Sequence, residues 1–123
     1  MKFSQDRSDS GYVITAYDDN GILVNGKSFE KSFIISAEDF QENWSIASIA
    51  ELNNHHIQQL LDIQPELIIL GTGKKLTFPP VEVYASVVKQ NMGIEFMDTN
   101  AACRTYNILM GEGRKVVAGI IFE

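Results

Sequence analysis

Apolar and polar residues alternate in short bursts through the first third of the chain, then give way to helical periods and unbroken apolar runs. The stretch "GYVITAYDDNGILVNGKSFEKSFIIS", from Gly11 to Ser36, reads as a β-meander. Asp19-Asn20-Gly21 and Asn25-Gly26 mark its turns, because Asn and Gly accept the positive φ of tight hairpins. In its third strand Phe29, Lys31, Phe33 and Ile35 alternate with Ser28, Glu30, Ser32 and Ile34. That period of two predicts a sheet with one face more buried than the other. Ala37 to Ala50 carries no clear period; Trp44 is its expected anchor, with a short strand near Ile46.

Beyond Ala50 the rhythm lengthens. Asn53 or Asn54 caps a predicted helix by offering a side-chain oxygen to free backbone N–H groups. Ile57, Leu60 and Leu61 form its buried stripe, and Pro65 stops it. "ELIILG", Glu66 to Gly71, is an apolar run of strand length, as expected for a central strand covered on both faces. Pro79-Pro80 opens a second helix, with Val81, Tyr84, Ala85 and Val88 on one face and Asn91 and Gly93 at its end. "GIEFM", Gly93 to Met97, reads as another inner strand. Asp98 or Thr99 then caps a third helix to about Met110, with Ala102, Tyr106 and Leu109 facing the sheet. "KVVAGIIFE" closes the chain as an apolar strand. Hairpin strands followed by β-α-β-α-β predict a single α/β domain over residues 11–123, with a mixed sheet and helices on its faces. Residues 1–10 are polar and expected to be loosely ordered.

Composition narrows the function classes. The 123 residues suit one domain with a full core. Ten basic against sixteen acidic residues leave a net charge of −6, which argues against nucleic-acid partners and anionic membrane surfaces. The lone Cys103 has no intramolecular disulfide partner, which fits a reducing compartment. "MKFSQDRSDSGY" lacks the apolar run of a secretory signal, and no stretch has the length of a membrane span. A cytoplasmic location is the expectation.

Three features invite chemistry. Gly71-Thr72-Gly73 follows an inner strand, where open α/β sheets place ligands. It lacks the Lys-Ser/Thr ending of a Walker loop, and Leu76 stands where a dinucleotide fingerprint needs a third glycine. A tight turn is the simpler reading. His55 and His56 are adjacent, so on a helix they diverge by roughly 100° and cannot share a metal; no metal site is expected. Cys103 sits about one turn inside its helix, where the N-terminal field has faded. It is expected to be buried and inert. The polar residues Arg104, Thr105 and Asn107 around it admit two readings, a site or a packing solution. In the second, an inward Asn satisfies a neighbouring loop and Arg104 bridges to Asp98 or Glu112.

"LIILGTG", "GIEFMDTNAACRTYNIL" and "GEGRKVVAGIIF" together resemble a family of small α/β proteins related to mitochondrial NADH:ubiquinone oxidoreductase complex I assembly factor 3. The resemblance spans about Ile14 to Phe122. Its elements fall at Asp98-Thr99, Ala102-Cys103, Thr105-Tyr106-Asn107 and Glu112-Gly113-Arg114. Arg104 looks like the bacterial form of the motif. The resemblance implies a three-layer fold with a mixed central sheet, no cofactor, no catalytic residue, and action through protein partners.

The expectation is therefore a non-enzymatic binding or assembly module, linked by resemblance to complex I assembly. Its candidate ligand-binding residues are Gly71, Thr72, Gly73, Asp98, Thr99, Arg104 and Arg114. A helix N-terminus there favours a small anion, with Lys74, Arg104 or Arg114 as counter-charge. Two rivals remain: a small-molecule enzyme using the cleft between Gly71–Gly73 and Asp98–Arg104, and a structural homo-oligomer subunit.

Overall fold

The computed structural model describes residues 11–123, so the loose order expected of residues 1–10 lies outside the described residues. Strands β1 (Ile14–Asp18), β2 (Gly21–Val24) and β3 (Lys27–Phe29) form an antiparallel three-stranded meander. Asn25 and Gly26 take positive φ at its second turn, as the turn signal demands.

The expected third strand is two strands. The chain bends after β3 and re-enters as β4 (Phe33–Ser36), which belongs to a different sheet. Ser32 holds the crossing point: its Oγ accepts from the Phe122 N–H at 3.0 Å and its carbonyl accepts from the Trp44 N–H at 3.2 Å. β4 is buried on both faces, not one. Ile34 points to one side of the sheet, Phe33 and Ile35 to the other.

That second sheet has five strands in the order β5-β4-β8-β6-β7. They comprise β4, β5 (Phe40–Gln41), β6 (Leu67–Gly71), β7 (Gly93–Met97) and β8 (Val116–Ile120). β6 runs parallel to both β7 and β8, whereas β4 is antiparallel to β8 and β5, so the sheet is mixed. The "LIIL" strand lies between two neighbours and is wholly buried, as its unbroken apolar run requires. Two expectations fail here. The short strand falls at Phe40–Gln41 rather than near Ile46, and β7 is an edge strand rather than an inner one.

Helices α1 (Asn54–Leu61) and α2 (Val81–Lys89) cover one face; α3 (Thr99–Gly111) and the meander cover the other, making three layers. Asn53 caps α1, accepting from the N–H groups of His55 and His56, while His56 Nδ1 accepts from the Asn53 N–H. Ile57 and Leu60 press on Ile68, Leu70 and Val117. Trp44 anchors its segment as expected: its indole N–H donates to Gln59 at 2.9 Å, and its ring lies where any side chain at position 119 would stand.

The apolar face expected of α2 is half right: Tyr84 packs on the core and Ala85 is half-buried, but the two valines are not. Val81 and Val88 are 57% and 53% exposed, and Val87 is the buried residue. Tyr84 has non-helical dihedrals (φ −120°, ψ 20°), and this kink shifts the phase that an ideal helical period assumes.

Candidate functional site

Because β6 and β7 are parallel and in register from Leu67 opposite Gly93 to Gly71 opposite Met97, their following loops meet at one end of the sheet. The Thr72 N–H donates to Met97 O and the Thr99 N–H to Gly73 O, each at 2.8 Å. The Gly73 N–H donates to Thr99 Oγ1 at 3.0 Å, and that hydroxyl donates onward to Ile121 O at 2.6 Å. Gly71 permits this approach, since a Cβ there would stand 3.0 Å from Ala102 Cβ and 3.1 Å from Thr99 Oγ1. Gly73 has φ +106° and faces the Glu123 carboxylate, so a side chain would be strained and obstructed.

These bonds engage the turn's donors that an anion would need. Thr72, Gly73 and Lys74 give their N–H groups to Met97, Thr99 and Glu123 respectively, the last at 3.3 Å. At the head of α3, the Asp98 side chain accepts from the Ala101 N–H at 2.9 Å. The junction opens into a cleft of about 200 Å³ lined in part by Asp18, Asp19, Lys74, Asp98 and Glu123. Four carboxylates face one ammonium. The charge of this cleft suits a cationic or hydrogen-bond-donating group, opposite to the expected anion.

Gly71, Thr72, Gly73, Asp98 and Thr99 are thus brought together; the two arginines are not. Arg104 projects from α3 toward the meander, its guanidinium donating to Tyr17 Oη at 3.4 Å rather than bridging to Asp98 or Glu112. Arg114 precedes β8 and lies at the opposite end of the sheet, paired with Glu66 before β6. It is placed there because β8 runs parallel to β6, which puts both strand starts together. That partnership lowers the Glu66 pKa and raises that of Arg114, through the hydrogen bond first and charge second.

The rest of the motif grips strand β1. The Asn107 amide forms two bonds to one residue, donating to Ile14 O at 2.6 Å and accepting from the Ile14 N–H at 3.0 Å. The Tyr106 hydroxyl donates to Tyr12 O at 2.7 Å. Burial raises the Tyr106 pKa. Cys103 is fully buried, and burial, then the nearby Asp98 charge, pushes its pKa up to about 12. A thiol so placed is not a thiolate at neutral pH. Among the described residues, no group of three or more His, Cys, Asp or Glu side chains is arranged to hold a metal ion. His56 is engaged with Asn53 and with Ser45 O. Sequence reasoning missed Asp18, Asp19 and Glu123 as cleft residues. Asp19 belongs to the Asp19-Asn20-Gly21 turn signal, Asp18 carries no signal of its own, and nothing local ties either to Gly73.

Against known proteins, the family model described as "Protein of unknown function (DUF498/DUF598)" matches residues 14–121. The 13 kDa major membrane protein of Francisella tularensis subsp. holarctica (strain LVS) is 29% identical over 122 residues, covering 98% of this chain and 99% of the relative. NADH dehydrogenase (ubiquinone) 1 alpha subcomplex assembly factor 3 of Danio rerio is 29% identical over 124 residues, covering 98% of this chain and 70% of the relative. A crystal structure of a Bordetella parapertussis protein superposes with a TM-score of 0.87 at 33% identity, covering 93% of this chain and 98% of that one.

Proposed function

The chain belongs to the DUF498/DUF598 family and is similar to proteins named as complex I assembly factor 3, and we propose that it is a non-enzymatic module that binds a protein partner during assembly. One observation carries this reading. The polar side chains of the family-like motif are spent on the protein itself: Asp98 caps α3, Thr99 ties the turn after β6 to the residue after β8, and Tyr106 and Asn107 hold β1 and the residues leading into it. Side chains committed in this way are not free to act on a substrate. The buried, high-pKa Cys103 supports the same reading against a thiol nucleophile.

The docking surface in this proposal is the cleft that opens where the Gly71, Thr72 and Gly73 turn meets Asp98 and Thr99, with Arg104 turned away from it toward Tyr17. Its carboxylates favour a basic group on the partner. We place the protein in the cytoplasm. No helix among the described residues is long and apolar enough to cross a membrane. The Francisella relative's name makes membrane association of the assembled complex a property to follow in the same experiment.

The test is retrieval of tagged protein after cross-linking in the native cell. A partner should be recovered with the native chain and with Cys103→Ala. The pair Asp18→Lys and Asp19→Lys should reduce its recovery about tenfold, the effect of losing roughly 1.4 kcal/mol of charge complementarity. Unchanged recovery with the reversed charges would contradict the cleft as the surface. Recovery of further copies of this chain alone would favour the homo-oligomer.

A further inference from the structure

We propose that the outer edge of β7 takes up an extended, basic segment of a partner protein as an added strand. The proposal rests on the protein-binding reading above and supplies the partner's conformation and chemistry. The two edges of the five-stranded sheet differ. β5 is two residues long, too short to template another chain. β7 is five residues long, pairs in unbroken register with β6, and is last in the strand order. Its sequence, "GIEFM", contains none of the proline or lysine that usually blunts an open edge.

What surrounds β7 suits an incoming strand. Ile94 and Phe96 face the same side as α2, where the Phe96 ring lies 5.8 Å from Phe78 and 4.9 Å from Tyr84. Phe78 is 65% exposed and Leu76 51% exposed. The loop carrying them is held in place: the buried Thr72 hydroxyl donates to Lys75 O at 2.6 Å and accepts from the Thr77 N–H at 3.1 Å. An added strand would find main-chain partners on β7 and an aromatic wall for alternate apolar side chains, the features of recognition by strand addition.

Charge selects the occupant. Exposed Glu95 stands in the middle of β7, and the strand leads directly into Asp98 and the carboxylates of the cleft. A segment laid along this edge meets negative charge at its centre and its end, so lysine or arginine between its apolar residues is favoured. A second copy would bring another −6 chain with the same Glu95 and cleft, and anionic lipid would be repelled likewise.

The experiment uses the full chain, isotopically labelled, with a synthetic peptide alternating valine and lysine. NMR should show shifts on β7 and α2 and slowed amide exchange at β7. Replacing alternate valines by proline should abolish binding, because the added strand loses main-chain donors. Glu95→Lys should weaken the valine–lysine peptide about tenfold, as expected for one lost charge-assisted contact. It should also strengthen a valine–glutamate peptide. No binding, equal binding of the proline peptide, or shifts confined to Asp18 and Asp19 would overturn the proposal. So would a dimer broken by Phe78→Ser, or Phe78-dependent binding to phosphatidylglycerol vesicles. Cellular retrieval that depends on Asp18 and Asp19 but not Glu95 would overturn strand addition while leaving the binding reading intact.

Discussion

Helices α2 and α3 each cross from a parallel strand back over the sheet, yet they are held by different means. α3 starts on the Asp98 cap, buries Thr99, Ala102, Cys103 and Tyr106, and ties β1 through Tyr106 and Asn107. α2 starts after Pro80 without a side-chain cap bond, kinks at Tyr84, and buries Val87 alone. Directional bonds between distant segments need particular residues at particular positions, which makes the α3 stretch dense in signal. Apolar contact tolerates many sequences, which leaves the α2 stretch plain. The conspicuous motif on α3 therefore marks a structural clamp, and the proposed partner surface is the junction and edge beside it.

The contrast breaks most readily at Asn107. Asn107→Ala leaves both Ile14 backbone groups without their partner and should cost about 2–3 kcal/mol in urea unfolding. A loss no larger than that of a surface substitution would remove the clamp from the account.

The pH dependence follows from Cys103. Its folded pKa of about 12 lies above the ordinary thiol value of 9.0, so the unfolded chain loses this proton first as pH rises. The sign is then fixed. The contribution is intact below about pH 9 and declines by about 1.4 kcal/mol per pH unit between 9 and 12. Unfolding midpoints of the native chain and Cys103→Ala should diverge across that window. Parallel curves would mean that the thiol is less buried than described.

Tyr106→Phe removes one hydroxyl and should cost about 1 kcal/mol, less than Asn107→Ala because one bond is lost rather than two. The smallest effects belong outside the clamp. Arg104→Ala on α3 and Val88→Ala on α2 each alter an exposed side chain and should change stability by no more than about 0.5 kcal/mol. If Arg104→Ala instead prevents folding, the clamp extends further along α3 than its strong bonds indicate.

Much of the framework was legible from local pattern. The run Leu67–Leu70 reads as a covered strand, and a cap at Asp98 or Thr99 with Ala102 and Tyr106 at helical spacing outlined α3, whose cap is Asp98. The split of the third strand was hidden because Phe29, Phe33 and Ile35 keep one period of two across the bend, with Lys31 the sole break in that phase. The break depends on Ser32 meeting Phe122, 90 positions away. The ends of the α2 face, Val81 and Val88, were misjudged because the Tyr84 kink has no signature in a period of 3.6. At the site, Gly71–Gly73 and Asp98–Thr99 were placed together by the parallel crossover, a rule of connection. Arg114 was misplaced because the direction of β8 was unknown. The partner of Asn107 could not be read, since a backbone N–H and carbonyl 93 positions away belong to any residue.

Native-state hydrogen exchange on Asn107→Ala tests the central claim most directly, because it reports opening segment by segment. If Asn107 clamps the meander to α3, amides of β1 and its partner β2 should lose protection. Those of β6 and β8 should keep theirs to within the global change in stability. Unaltered protection at β1, or a loss centred on the Gly71–Gly73 and Asp98 junction instead, would contradict the clamp and return the motif to candidacy as a site.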